Sequence, residues 1–340
     1  MGPETVADGV HRIALPLPED GLRAVNVYVI EDIDGLTLID AGWALEESRE
    51  LLDSALADLR HHVADVHDVL VTHVHRDHYT QAMWLRRDHG VRVSLGSGER
   101  PGLDRLFEIR TNVPVEAIEE LRRGGGRRLA EDLALEDWAE FDPSCWGYPD
   151  RWIEDGDTFG GLEAVATPGH TRGHTVFHDV DRGLLFAGDH LLPSITPSIG
   201  FELGRPPLPL GDFLASLRRV LTRPDARLLP AHGAVAESAW VRARELLEHH
   251  RIRFDVTMAV VEDAGSTAWE VASRLRWTRH ERRLEDLDGF NRMLAVCETA
   301  AHLDVLAAHG ALDRNEHPGH RTYHHATTHP WTELLERITT

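Results

Sequence analysis

Lysine is missing from all 340 residues, cysteine occurs only twice, and no apolar run is long enough to span a membrane. Each absence excludes something. Cys145 and Cys297 lie in separate regions with neither C-x-x-C nor disulfide spacing, so redox chemistry and a disulfide framework have no basis. The first residues, Met1-Gly2-Pro3-Glu4-Thr5, carry no basic region followed by an apolar stretch, so no signal peptide is indicated and a soluble, cytoplasmic protein is expected. Positive charge is scarce as well: 36 basic residues, all arginine, face 57 acidic ones, for a formal charge of −21. Such a surface repels anionic polymers unless its arginines are concentrated locally, which disfavours nucleic acid as a partner. With 42% hydrophobic residues, the length suits one large domain and a smaller one.

Histidine, by contrast, is concentrated. His73, His75, Asp77 and His78 stand within six residues at the end of the apolar run Val66 to Val71. So many polar rings must find partners wherever they are buried, and metal coordination gives them one. In an extended or loop segment alternate side chains point the same way, so His73 and His75 can converge on one ion while Asp77 and His78 reach a second. Other ligand types follow strand-like runs: His170 after Ala164-Val165-Ala166-Thr167-Pro168-Gly169, Asp189 after Leu184-Leu185-Phe186-Ala187-Gly188, and His232 after Leu228-Leu229-Pro230-Ala231.

The ordered set H-x-H-x-D-H, distant His, Gly-Asp and His-Gly, preceded by Leu38-Ile39-Asp40-Ala41-Gly42, resembles the metallo-β-lactamase fold superfamily. The resemblance implies a four-layer αββα sandwich with His73, His75 and His170 on one metal, Asp77, His78 and His232 on the other, and Asp189 bridging. Imidazoles and carboxylates suit two zinc ions, with manganese or iron also compatible. The implied reaction is hydrolysis by a metal-bridging hydroxide, with Asp77 or a metal-bound water handling protons and Asp189 holding the pair. His174 and Asp40 are expected to support ligands rather than bind metal. Tyr79, Arg172 and His190 adjoin ligands and are as readily structural as substrate-contacting.

Residue types narrow the activity. Lactamases with a cysteine on the second metal would carry it where Asp189 stands, and those with H-x-H-x-D-H lack the bridging Asp. Flavin-linked di-iron relatives place Glu at His75, and quorum-signal lactonases place Tyr where this chain has Leu192. Glyoxalase II enzymes share the whole ligand set, yet their glutathione-binding Tyr and Lys have no counterpart near Gly233 and Ala234. The expected substrate is therefore a small ester or thioester, acyl thioesters preferred. A metal-dependent endoribonuclease and a non-catalytic metal-binding scaffold are the alternatives.

Three regions separate along the chain. Residues 1–245 read as the catalytic domain, residues 246–326 as a winged-helix-like unit and residues 327–340 as a tail. Val25 to Ile30 and Leu36 to Asp40 read as a hairpin joined by Asp34-Gly35, followed by a helix near Glu46 to Leu59. Residues 97–157 interrupt the rhythm as a helical insertion near the active site. Its aromatic end, Trp138, Phe141, Trp146, Tyr148 and Trp152, either shapes the pocket or fills core. The proline-rich stretch Pro193 to Pro209 reads as loop. After His232, a helix at about Glu237 to His250, a cap at Ser266 or Thr267, a helix from about Gly289 to His309 and a hairpin turning at His317-Pro318-Gly319 resemble the winged-helix members, which include an endoribonuclease. From Arg251 to Thr340 there are 11 Arg against 14 Asp plus Glu, and the segment Leu294 to His302 is almost uncharged, so this unit is expected to pack on the catalytic domain or to form a homodimer. The terminal histidines His317, His320, His324, His325 and His329 are expected to have no role.

Overall fold

A computed structural model describes residues 2–18, 22–33, 35–278 and 280–326. Asp34, His329 and the 327–340 tail lie outside the described residues. Seven strands form one sheet in sequence order: β1 (Glu4–Ala7), β2 (Val10–Pro16), β3 (Ala24–Asp32), β4 (Gly35–Ile39), β5 (Val66–Val71), β6 (Arg92–Gly96) and β7 (Arg151–Ile153). β1 to β4 pair antiparallel, whereas β4, β5, β6 and β7 are parallel neighbours. Parallel pairing requires a crossover, which α1 (Glu46–Asp58) and α2 (Arg76–His89) supply. A second sheet has the order β12 (Arg227–Pro230), β11 (Leu184–Gly188), β10 (Thr175–Asp179), β9 (Leu162–Ala166), β8 (Thr158–Phe159).

Side-chain alternation makes the layers. On β3, Val25, Val27 and Val29 join a core shared with Leu52 and Leu56 of α1 and Ala82 and Leu85 of α2, while Tyr28 and Ile30 face the opposite way. There they meet Phe177, Leu184, Phe186 and Leu229 of the second sheet. The other face of that sheet, Val165, Val176, Leu185 and Leu228, packs on Phe213 and Leu217 of α6 (Pro209–Leu221). Strands buried on both faces read as continuous apolar runs, and β3 is buried from Val25 to Ile30. The architecture is the αββα sandwich.

The insertion holds α3 (Arg100–Ile109), α4 (Val115–Arg123) and α5 (Arg127–Ala134), with Gly124-Gly125-Gly126 breaking α4 from α5. Four of its five aromatics pack, Phe141, Trp146 and Trp152 against the core beneath α1 and α2 and Trp138 against the core beneath α6, while Tyr148 is exposed. α7 (Ala239–Val260) runs ten residues past His250 without a break, and Arg251 pairs with Glu248 and Asp255 one turn to either side. The helix expected to end at His250 is therefore longer. α8 (Ala268–Arg274) starts at a capping box in which Thr267 and Glu270 bond each other's backbone N–H, so Thr267 rather than Ser266 is the cap. α9 (Gly289–Ala308) packs against α4, α5, α6, α7 and α8 and is buried on most sides from Met293 to Leu306. β13 (Leu312–His317) and β14 (His320–His325) close the chain as a hairpin. Proline-rich residues 193–208 lie outside helices and strands, but Pro209 opens α6, a position where its missing N–H costs nothing. Among the described residues no helix is long and apolar enough to cross a membrane.

Candidate metal centre

Four strand ends deliver all seven predicted ligand residues to one edge of the sandwich. β5 ends at Val71, and His73 and His75 follow, His75 in extended backbone. α2 then begins at Arg76 with His75 as its N-cap, so Asp77 and His78 occupy the first helical turn, not the extended or loop segment expected. A carboxylate there is stabilised by the positive end of the helix. His170 sits in the turn between β9 and β10, behind Gly169 at φ +141°, where an added Cβ would fall 2.4 Å from the Cα of Phe213. Asp189 follows Gly188, at φ +51°, where an added Cβ would lie 2.7 Å from His174 Nε2. His232 follows β12.

The ligand atoms of His73, His75 and His170 lie within 4.8 Å of one another, as do those of Asp77, His78 and His232, and those of His73, His78 and Asp189. Asp189 stands between the first two of these trios. Its Oδ2 is 3.5 Å from His170 Nε2, and its Oδ1 is 3.4 Å from His232 Nε2 and 3.7 Å from His78 Nε2. His170 Nε2 and His75 Nδ1 are 3.1 Å apart. A metal about 2.0–2.1 Å from each donor puts tetrahedral ligand atoms roughly 3.3 Å apart, the scale of these contacts.

Hydrogen bonds behind the rings fix their tautomers. His170 Nδ1 is 2.8 Å from the carbonyl of Ser198 and His232 Nδ1 is 2.8 Å from that of Ala24; a carbonyl only accepts, so each Nδ1 carries the proton. His78 Nδ1–H donates to Asp40 Oδ2 at 2.8 Å. Thr72 Oγ1 donates to the same carboxylate, so it accepts from His73 Nδ1 at 3.1 Å. Each Nε2 lone pair is thereby turned inward. His73 Nε2, His78 Nε2 and Asp189 Oδ1 are buried without a hydrogen-bond partner, a cost of about 1–3 kcal/mol each that a divalent cation would remove.

The two trios differ electrostatically. Burial, then the neighbouring imidazoles, holds His73 well below the ordinary histidine range, and burial lowers His170 to about 4. These rings are neutral and free to ligate. Burial also acts to lower His78, but the carboxylates of Asp77, Asp40 and Asp189 outweigh it and raise the ring. His232 rises the same way against burial, through Asp189 and Asp77. Burial works to raise Asp77, yet His78 and His232 keep it well below the usual carboxylate range. The second trio thus attracts positive charge, which suits a divalent ion.

Asp40 and His174 take the supporting positions expected. Asp189 N–H donates to His174 Nε2 at 3.1 Å, leaving His174 Nδ1–H for Thr167 Oγ1 at 2.9 Å. Tyr79 is fully buried with its hydroxyl on the Gly147 carbonyl, a structural placement. Arg172 is exposed and His190 is buried beside Phe213. Missed in the sequence were Thr72, Thr167 and the carbonyls of Ala24 and Ser198, which no motif distinguishes. Asp40→Ala would strand the His78, Thr72 hydroxyl and Thr72 backbone protons together, and is expected to weaken divalent-metal binding about 10–100-fold. A competitive chelator titration checks this, and unchanged affinity would refute it.

The family model for the metallo-beta-lactamase superfamily matches residues 20–232. The "Probable metallo-hydrolase YqjP" of Bacillus subtilis is 26% identical over 325 residues, covering 90% of this chain and 94% of that protein. "Hydroxyacylglutathione hydrolase GloC" of Haemophilus influenzae is 29% identical over 171 residues, 49% of this chain and 68% of its own. An "Atrochrysone carboxyl ACP thioesterase" of Aspergillus fumigatus is 25% identical over 236 residues, 67% of this chain and 43% of its own. Among solved structures, a metallo-beta-lactamase family protein of Thermus thermophilus superposes with a TM-score of 0.75 at 28% identity, covering 94% of this chain and all of that one. Sandwich, strand-end histidines and sequence agree: the chain belongs to the metallo-beta-lactamase superfamily and is a metal-dependent hydrolase.

Proposed function

We propose that the chain is a dinuclear hydrolase of small esters or thioesters, with acyl thioesters preferred and zinc as the metal, manganese or iron being compatible with the same ligands. The observation that carries this reading is the Asp189 carboxylate, one oxygen toward His170 and the other toward His78 and His232. His73, His75 and His170 would hold one ion, Asp77, His78 and His232 the other, and Asp189 both. When bound, the pair supplies a water acidified to a pKa of about 7 and polarises the substrate carbonyl. The chain does the rest. Asp40, Thr72 and the carbonyls of Ala24 and Ser198 lock the imidazoles in their ligating tautomers. We assign proton handling to Asp77, whose carboxylate lies 3.4 Å from both His78 Nε2 and His232 Nε2 at the edge of the second trio.

Likeness to a hydroxyacylglutathione hydrolase and to an acyl-carrier thioesterase supports a thioester over other hydrolysable bonds. The absence of lysine argues that the thiol half is not glutathione. We read residues 246–326 as a winged-helix-like packing unit; burial of α9 leaves little of it to enter a nucleic-acid groove, which supports acyl chemistry over RNA cleavage.

A substrate panel on the metal-loaded protein tests this: aryl esters, short and long acyl thioesters of small thiols and of coenzyme A, glutathione thioesters, and single-stranded RNA. Acyl-thioester turnover at least tenfold above that of glutathione thioesters is expected. Salt-sensitive RNA cleavage with every acyl substrate inert would establish the ribonuclease alternative, and inertness toward all of them with metals bound would leave a scaffold.

A further inference from the structure

Outside the seven ligands, one buried carboxyl touches both loops that carry the first trio. Glu99 is 1% exposed and closes the 3-10 turn Ser97–Glu99 that roots the insertion on β6. It accepts the hydroxyl of Thr171, and the backbone N–H groups of Val74 and Gly173 are turned to its carboxylate and favour its ionised form. Val74 lies between His73 and His75, and Thr171 follows His170. A single side chain therefore spans from the segment bearing two ligands to the turn bearing the third.

The backbones around it leave no slack. A Cβ on Gly96 would fall 2.1 Å from the carbonyl oxygen of Gly173, one on Gly98 2.8 Å from that of Arg172, and one on Gly173 2.1 Å from the Glu99 nitrogen. On the other side of the turn, Glu202 accepts the Arg172 N–H at 2.7 Å, and Ser198 of the same loop orients His170. No arginine or histidine ion pair with Glu99 is present among the described residues, and burial pushes its carboxyl up to about 7. An apolar side chain would fill this volume without the cost of a desolvated carboxyl, but it could not gather three donors from two chain segments.

We propose that Glu99 is a positioning residue that sets the distance between His73–His75 and His170, and so determines how tightly the first of the two cations is held. The inference rests on the two-cation reading of the centre.

Zinc titration of the metal-stripped protein against a chromophoric chelator, repeated with cobalt to follow the visible spectrum of each ion, separates the outcomes. Wild type is expected to take two ions. Glu99→Gln, with one acceptor where the carboxylate has two, is expected to weaken one ion about 10–100-fold and alter its cobalt spectrum, leaving the other within about twofold. Thr171→Val removes a single donor to Glu99 and leaves every ligand side chain in place; it is expected to weaken the same ion by a smaller factor, and decides the matter if Glu99→Gln does not fold. Wild-type affinity for both ions in these variants, or parallel weakening of both, would overturn the positioning role. A wild type that takes fewer than two ions would instead overturn the two-cation reading, and this inference with it.

Discussion

Replacing Asp189 with alanine is expected to lower kcat/KM on the best acyl substrate by roughly 10³-fold or more, about 4 kcal/mol of barrier. The reason is geometric. The two oxygens of Asp189 face different trios, so its removal affects both cation positions, whereas losing His170 affects the first and His232 the second. It also removes a carboxylate that raises His78 and His232, so the second trio loses part of its attraction for a cation. The backbone changes little, because the Asp189 N–H to His174 bond survives in alanine and Gly188 still makes the turn. The variant should therefore fold, bind metal poorly and turn over slowly. Activity within tenfold of wild type with both ions retained would show that the carboxylate bridges nothing.

Chelation is expected to make the protein acid-labile. His170, His190 and His302 are buried, and burial lowers them to about 4, 3 and 3. His73, His174 and His250 are likewise held well below the ordinary histidine range, burial again leading. In the unfolded chain each titrates near 6.5. A depressed imidazole binds fewer protons folded than unfolded, so its contribution is complete above about pH 6.5 and is lost as pH falls toward the folded value. The slope is about 1.4 kcal/mol per pH unit for each such ring, and several rings together approach the whole stability of a typical domain within one or two units. His78 and His232 run the other way: raised in the folded protein, their contribution is full below about pH 6.5 and is lost as pH rises through their folded values. Cations compete with those protons, so metal affinity should climb with pH. Circular-dichroism melts from pH 7.5 to 4.5, with and without chelator, check this. The stripped protein should lose its transition between about pH 6 and 5, while loaded protein persists lower. A stripped protein equally stable across that range would mean the histidines are solvated.

The ligands were legible because each is a metal-ligating residue type just beyond a short apolar run, and strand ends in a layered sheet are where such residues converge. The sandwich was legible for a related reason, since runs such as Val25 to Ile30 have to be covered on both faces. What stayed hidden is contributed from a distance. The carbonyls of Ala24 and Ser198 orient rings at His232 and His170, yet a carbonyl leaves no mark in a sequence. Glu99 and Glu202 look like surface acids until the chain brings the 171–173 turn against them. The start of α2 inside the ligand motif was hidden too: Arg76-Asp77-His78 reads as loop, and the helix is set by packing of Tyr79, Ala82 and Leu85 on the sheet. Likewise α4 and α5 are amphipathic segments with no visible partner until α9, far along the chain, supplies one.

Anomalous diffraction from crystals of the zinc-loaded protein, with data on both sides of the zinc edge, tests the central claim most directly. The account predicts two peaks roughly 3.5 Å apart, one within bonding reach of His73, His75 and His170, the other of Asp77, His78 and His232, with Asp189 touching both. A single peak, or a second one lying elsewhere than against Asp189, would contradict it.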